Sequence, residues 1–362
     1  KLNHIYKSIA CGVLLAMTAT SCDLDYNPVD TYSDVTEGVN KTDEKPIFNS
    51  VQDVETSMVT LHKKFRDRQE HWYVDKLLIG DAHSDNAYAG TTGAEVVPYE
   101  TNSIEGSNSV LKRDWDRFLG DIAVANRIIV GCDQLKALSE SERGKYQSQA
   151  KIFRAMVMFD MVRLWGNFPV ITTVGGDITE DNVEEMYPTY FPPQNTAEEA
   201  YAQIEKDLTE AVENPNTPTN DTSDKSILTK SVARAMLAKV YAEKPLRDYA
   251  KVIKYADELA ADGFDLVEDF SDLWAYDTEK KDCRVRNTKE AILEAHFPPG
   301  SGNWCTWMFG RNLSNWDESF TWAKWITPSR DLIRLYEEQG DTKRYNESVV
   351  WYLSLIHISE PT

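Results

Sequence analysis

Positive charge is in short supply along this chain. Its 362 residues hold 39 Lys and Arg against 59 Asp and Glu, a net charge of −20. That balance argues against nucleic acid, whose phosphates need a basic face. It suits an exposed protein that meets neutral or cationic ligands. Cysteine is sparse as well, with five, at 11, 22, 132, 283 and 305. None makes a C-x-x-C or a Cys–His pair at zinc-ligand spacing, so the last three read as buried or incidental thiols. Catalytic signatures are missing too. His62, His71, His83 and His296 form no H-E-x-x-H, and neither a G-x-S-x-G elbow nor a P-loop occurs. Paired acids such as Glu198-Glu199 and Glu337-Glu338 read as solvated helix faces. No catalytic residue, metal site or cofactor is expected.

Long apolar runs are absent at the start, where one would anchor a membrane protein. Ile9 to Ala19 is too short to span a bilayer and follows the basic residues Lys1 and Lys7, so residues 1–21 read as a signal peptide. Ala19-Thr20-Ser21-Cys22 has the shape of a bacterial lipobox, with Cys22 as the lipidation point and Ala19 where Leu is commonest. Residues 22–46 read as a polar tether. Asp23, Asp25, Asn27 and Asp30 suggest a calcium loop, but Pro28 stands where its Gly is needed, so that reading is set aside.

What the chain has in quantity is helical period. Val54, Met58, Leu61 and Phe65 form a stripe over 51–73; Trp115, Phe118, Ile122, Ala125 and Ile129 form another over 110–135. A long amphipathic helix over 147–171 carries Phe153, Met156, Val157, Met161 and Leu164, with Gly166 and Pro169 as its stop. Arg154, Asp160 and Arg163 lie among these positions and must be exposed or paired. Residues 136–145 read as a polar link and 172–194 as irregular. Thr196 and Glu199 form a capping box before Tyr201, Ile204, Leu208 and Val212. Helices over 231–242 and 247–261 alternate Ala with Tyr241, Tyr249 and Tyr255, which is tetratricopeptide-like packing without a strict period. Residues 291–297 read as a short strand, and residues from 327 on cap a further helix.

Several strings then point one way. Ala150, Arg154, Ala155, Phe159, Asp160, Arg163, Gly166 and Pro169 spell A-x-x-x-R-A-x-x-x-F-D-x-x-R-x-x-G-x-x-P. Asn126 sits in A-N-R-I-I, Gly80-Asp81 precedes Ser84-Asp85-Asn86-Ala87-Tyr88, and Gly340-Asp341 precedes Arg344. Together they resemble the SusD/RagB family of nutrient-binding outer-membrane lipoproteins. The resemblance runs from about Cys22 to Val350 and implies an all-α fold of degenerate tetratricopeptide-like repeats with a loop-rich ligand-binding subdomain, here 47–352. Family members usually continue further, so more C-terminal sequence is expected. The tail 353–362, LSLIHISEPT, resembles a translated sequencing adapter and is excluded from fold reasoning.

The ligand face is sought where aromatics meet polar loops. Five of ten tryptophans, Trp304, Trp307, Trp316, Trp322 and Trp325, fall between 303 and 325. An indole buries the flat C–H face of a sugar and offers one N–H to a hydroxyl. Arg311 and Asn315 supply planar groups for hydroxyl pairs. Trp322 and Trp325 read as core; Trp304, Trp307 and Trp316 read as ligand contacts, with core packing as the competing role. Trp72, Tyr73, Asp85, Asn86 and Tyr88 make a second candidate wall, although Trp72 could end its helix in the core and Asp85 and Asn86 could only cap a turn. The resemblance implies non-catalytic capture of an oligosaccharide or related nutrient outside the cell, and delivery to a SusC-like TonB-dependent outer-membrane transporter. Competing classes are a glycoside hydrolase, which needs two carboxylates at a set separation, and a tetratricopeptide-like scaffold that binds protein.

Overall fold

The structure is a computed structural model that describes residues 46–349, except 68–69, 90–94, 177–181, 274–275, 278, 280–281 and 298–325. The lipobox with Cys22, the tether up to 45 and the tail 353–362 lie outside the described residues. Seven helices carry the main scaffold: α1 (Val51–Asp67), α2 (Ser109–Gln134), α3 (Glu140–Trp165), α4 (Val183–Tyr190), α5 (Ala197–Glu213), α6 (Lys230–Ala242) and α7 (Tyr249–Ala261). Two more, α8 (Arg330–Gln339) and α9 (Thr342–Ser348), follow the tryptophan-rich stretch. Among the described residues, sheet is confined to two short antiparallel pairs, β1 (Ala87–Ala89) with β4 (Ile326–Pro328) and β2 (Tyr276–Asp277) with β3 (Asp282–Cys283). The fold is all-α, as expected. None of the helices among the described residues is long and apolar enough to cross a membrane.

The central helix α3 is longer than its stripe suggests. Ser139 Oγ accepts from Glu142 N, and Glu142 Oε2 accepts from Ser139 N at 3.0 Å, a reciprocal cap that starts the helix at Glu140. The expected polar link of 136–145 thus shrinks to 135–139. Gly166, at φ +71°, takes a backbone conformation that a side chain disfavours and ends the helix. Ala150, Phe153, Ala155, Val157, Met158 and Met161 are fully buried, so α3 is the axis of the core, flanked by α2 and α5. Each such Phe or Met is worth about 1.5–3 kcal/mol of burial.

A polar lock crosses that core. Arg154 donates from Nε and Nη2 to the two oxygens of Asp207 on α5, at 2.8 and 2.7 Å, and from Nη1 to Asn126 Oδ1 on α2 at 2.7 Å. The Asn126 amide in turn donates to the carbonyls of Ile171 and Thr173. Buried charges persist only when paired and fully bonded, and here one guanidinium ties three helices and the exit loop of α3. Asp160 reaches Lys76 at 2.5 Å and Arg163 reaches Glu243 at 3.0 Å. In the α6–α7 pair, Tyr241 and Tyr255 lie parallel with centroids 6.1 Å apart. Tyr249, expected in the same packing, is instead 58 % exposed.

Three other expectations change. The first helix ends at Asp67, and single turns follow in wider π geometry at Glu70–Val74 and Leu78–Ala82. Helix α4 occupies part of the stretch that reads as irregular and carries Pro188 inside it. Residues 291–297 form no strand; Glu294 N donates to Lys225 O at 2.9 Å, and Asn287 N donates to the Glu294 carboxylate.

Candidate functional site

A small second core sits apart from the main one. Leu78, Ala82, Ala87, Val96, Tyr99, Val110 and Ile326 are buried together, and they come from chain positions up to 248 apart. This core supports the loop 83–89. Ser84 closes the loop's start, with both its N and Oγ donating to Asp81 O. Strand β1 then pairs with β4 in the register Ala87↔Pro328, Tyr88↔Thr327 and Ala89↔Ile326.

Ser329 fastens the two chains beyond the strands. It is 1 % exposed, donates from Oγ to Asp85 O at 2.5 Å and from N to Asn86 O at 2.9 Å, and accepts from Leu332 N as the N-cap of α8. Arg330 N donates to the Tyr88 hydroxyl at 3.3 Å, which leaves the Tyr88 side chain partly open to solvent. Asp85 and Asn86 are exposed. Three of the five residues of the second candidate wall therefore share one open loop, pinned to the segment that follows Trp325 in the chain.

Trp72 is placed elsewhere. It is 5 % exposed, and its Nε1 donates to Asp121 Oδ2 at 3.1 Å. Phe65, Phe118 and Phe153 surround it with centroids 4.8–6.2 Å away. His71 Nε2 shares the same carboxylate oxygen at 2.9 Å, and Lys64 holds the other oxygen at 3.3 Å. The indole is a core group whose N–H is already satisfied. Trp304, Trp307, Arg311, Asn315 and Trp316 lie outside the described residues.

The described residues that precede the tryptophan-rich stretch are also held. Phe297 meets Tyr73 edge-on with centroids 6.2 Å apart, its carbonyl accepts from Arg286 at 3.1 Å, and Arg66 donates to His296 O at 3.4 Å. Here a cleft of about 300 Å³ is lined by Val285, Arg286, Thr288, Glu290, Glu294 and His296. A narrower one, about 150 Å³, lies between the same Glu294–His296 strip and His62, Phe65 and Arg66. Burial pushes the His62 imidazole below its ordinary value, so it is a neutral hydrogen-bonding group beside Gln149. Sequence reading missed this cleft. Its one signal was Glu294 and His296 inside an otherwise apolar run.

Near Tyr99, burial and the charge of Asp75 push the Asp114 carboxyl up to about 9. Arg113 Nη2 contacts Asp75 Oδ2 at 2.5 Å, and the two acids are almost wholly buried. Asp114 is thus a neutral acid at pH 7, structural in position and remote from open solvent. Among the described residues, no group of three His, Cys, Asp or Glu side chains is arranged to hold a metal ion.

Comparisons with known proteins agree on one family. The SusD-like family model, described as starch-binding and associating with the outer membrane, matches residues 32–242. A SusD-like protein of Bacteroides ovatus is 25% identical over 309 residues, which is 82% of this chain and 50% of the relative. The chain therefore spans about half the length of the curated relative it matches. The surface glycan-binding protein A of Bacteroides fluxus superposes with a TM-score of 0.57 at 20% identity, over 71% of this chain and 52% of that one. The surface glycan-binding protein A of Bacteroides thetaiotaomicron, solved in complex with laminarihexaose, gives 0.51 at 16% identity, over 62% and 46%.

Proposed function

The chain belongs to the SusD-like family, and from that premise we propose that it captures an oligosaccharide at the outer membrane without cleaving it. The observation that carries this reading is the pairing of β1 with β4. It joins the exposed loop of Asp85, Asn86 and Tyr88 to residues 326–328, which follow Trp325 directly in the chain. Tyr88 offers a ring to a sugar face, and Asp85 and Asn86 offer acceptors and donors to neighbouring hydroxyls. Trp304, Trp307 and Trp316 add stacking surfaces, with Arg311 and Asn315 beside them in sequence. Stacking sets affinity and hydroxyl contacts set selectivity. A relative solved with laminarihexaose favours a glucan among the candidate ligands. Lipidation at Cys22 and delivery to a SusC-like TonB-dependent transporter complete the proposal.

The test is a tryptophan-fluorescence titration of the mature chain with starch, laminari- and xylogluco-oligosaccharides, with reducing ends assayed in the same wells. A saturable shift that is lost in Trp304→Ala or Trp316→Ala, with no new reducing ends, is the expected result. New reducing ends would replace capture by hydrolysis. A folded protein silent across the panel would overturn the sugar reading for those glycans. Co-purification with the transporter from detergent-solubilised outer membrane checks the delivery step.

A further inference from the structure

Tyr88 stands at the centre of a strand only three residues long, and a two-stranded pair this short is marginal by itself. The bonds around it show which way its backbone faces. Asn86 O accepts from Ser329 N on the β4 side, and successive residues of a strand alternate in direction. Tyr88 therefore turns its N–H and C=O toward Thr327, while Ala87 and Ala89 turn theirs to the outer edge of β1. Pro328 fits opposite Ala87 because no N–H is needed there. Nothing from β4 can hold that outer edge.

Glu100 does. Its Oε2 accepts from Ala89 N at 2.8 Å. A carboxylate that receives a backbone N–H makes a stronger bond than a neutral acceptor. The residue ends the single helical turn Val97–Glu100, and the fully buried Val96 and Tyr99 set that turn in the second core. Thr101 closes the turn, its Oγ1 donating to Val97 O at 3.1 Å. The Glu100 side chain is itself exposed, so it reaches back eleven positions from a fixed base to one strand edge without packing in either core.

We infer that Glu100 is a positioning residue of the proposed glycan site. It clamps β1 from the edge opposite β4 and keeps the Tyr88 ring in place for its ligand. Arg330 N holds the ring at its hydroxyl and Thr327 pairs with its backbone; Glu100 fixes the next residue along. A ring held before binding loses less entropy when the ligand arrives. The inference rests on the proposed glycan capture for its ligand class. The clamp itself requires only an oxygen acceptor at that reach, which glutamine keeps and alanine removes.

Two measurements on the mature chain test this. One is amide hydrogen exchange at Ala89 without ligand, read by NMR; the other is isothermal titration with laminarihexaose. The proteins compared are the wild type, Glu100→Ala, Glu100→Gln and Thr101→Ala. Glu100→Ala is expected to exchange faster at Ala89 and to bind laminarihexaose about fivefold more weakly, with its thermal midpoint unchanged. Glu100→Gln should keep both the protection and the affinity. Thr101→Ala loosens the turn without touching Ala89 and should match the wild type. Wild-type exchange or wild-type affinity in Glu100→Ala would overturn the inference. So would a Glu100→Gln variant that protects Ala89 yet binds weakly, since the carboxylate would then meet the ligand itself. A Thr101→Ala variant as weak as Glu100→Ala would also overturn it, by assigning the effect to the turn. A wild type that ignores laminarihexaose while Glu100→Ala alone loses protection at Ala89 would sink the reading for that glucan and leave the clamp standing.

Discussion

Arg154 and Asp207 face each other through two parallel hydrogen bonds of 2.8 and 2.7 Å, with both side chains under 5 % exposed. The pair bridges α3 and α5, and the third arm of the guanidinium holds Asn126.

Breaking that pair from one side leaves a buried charge without its partner. Asp207→Asn or Arg154→Met is expected to cost about 3–5 kcal/mol, read as a shift in the urea midpoint. The double variant Arg154→Met/Asp207→Leu should recover much of the loss, since two apolar groups strand only neutral partners, Asn126 Oδ1 and the Gln203 amide that donates to Asp207 Oδ1. A double variant as unstable as the singles would show that the lock does more than neutralise charge.

The neutral Asp114 makes stability depend on pH. Its carboxyl titrates near 3.8 when unfolded and is pushed up to about 9 when folded. Between those values the native state holds the extra proton, so raising the pH pulls the equilibrium toward the unfolded chain. The slope from this one group is at most about 1.4 kcal/mol per pH unit. Asp114→Asn keeps the neutral shape and should flatten the stability profile from pH 5 to 9 relative to wild type. Parallel profiles for the two proteins would count against a protonated Asp114.

Two glycines of α2 should answer alanine in opposite ways. At Gly131 a Cβ would overlap the Phe48 ring, which is 2 % exposed and cannot move without losing its burial. Gly131→Ala should therefore destabilise by about 1–3 kcal/mol. At Gly120 nothing lies within 4 Å, so Gly120→Ala should stabilise by up to about 1 kcal/mol through helix propensity alone. Thermal melts of the two variants side by side decide it.

Ser329 joins stability to the loop of Asp85 and Asn86. Ser329→Ala removes the N-cap of α8 and the bond to Asp85 O, with an expected loss of about 1 kcal/mol in stability. Because the loop of Asp85 and Asn86 loses its fastening, glycan affinity should fall in the same variant at temperatures where it remains folded. Unchanged affinity in the folded variant would mean that the strand register alone holds the loop.

The helices were legible because their stripes are long and regular; Phe153 to Leu164 could be placed on a buried face from spacing alone. Partners were not legible. Arg154 reads only as a charge that needs a counterpart, and nothing local identifies an aspartate 53 positions on. Trp72 illustrates the same limit, since the acceptor that holds its indole inside is Asp121, 49 positions away. The β1–β4 pairing was invisible for a different reason. Segments of three residues, Ala-Tyr-Ala and Ile-Thr-Pro, are too short to show alternation. Helix α4 was hidden by its own proline.

The strand pairing also orders events during folding. Tyr88 and Thr327 are separated by 239 positions, and β1 cannot find β4 until the intervening helices have drawn the ends together. Helical signal should therefore recover early in refolding, and the loop beside Tyr88 should close last. A chain emerging from the ribosome would complete its helices well before the loop beside Tyr88 takes its final form.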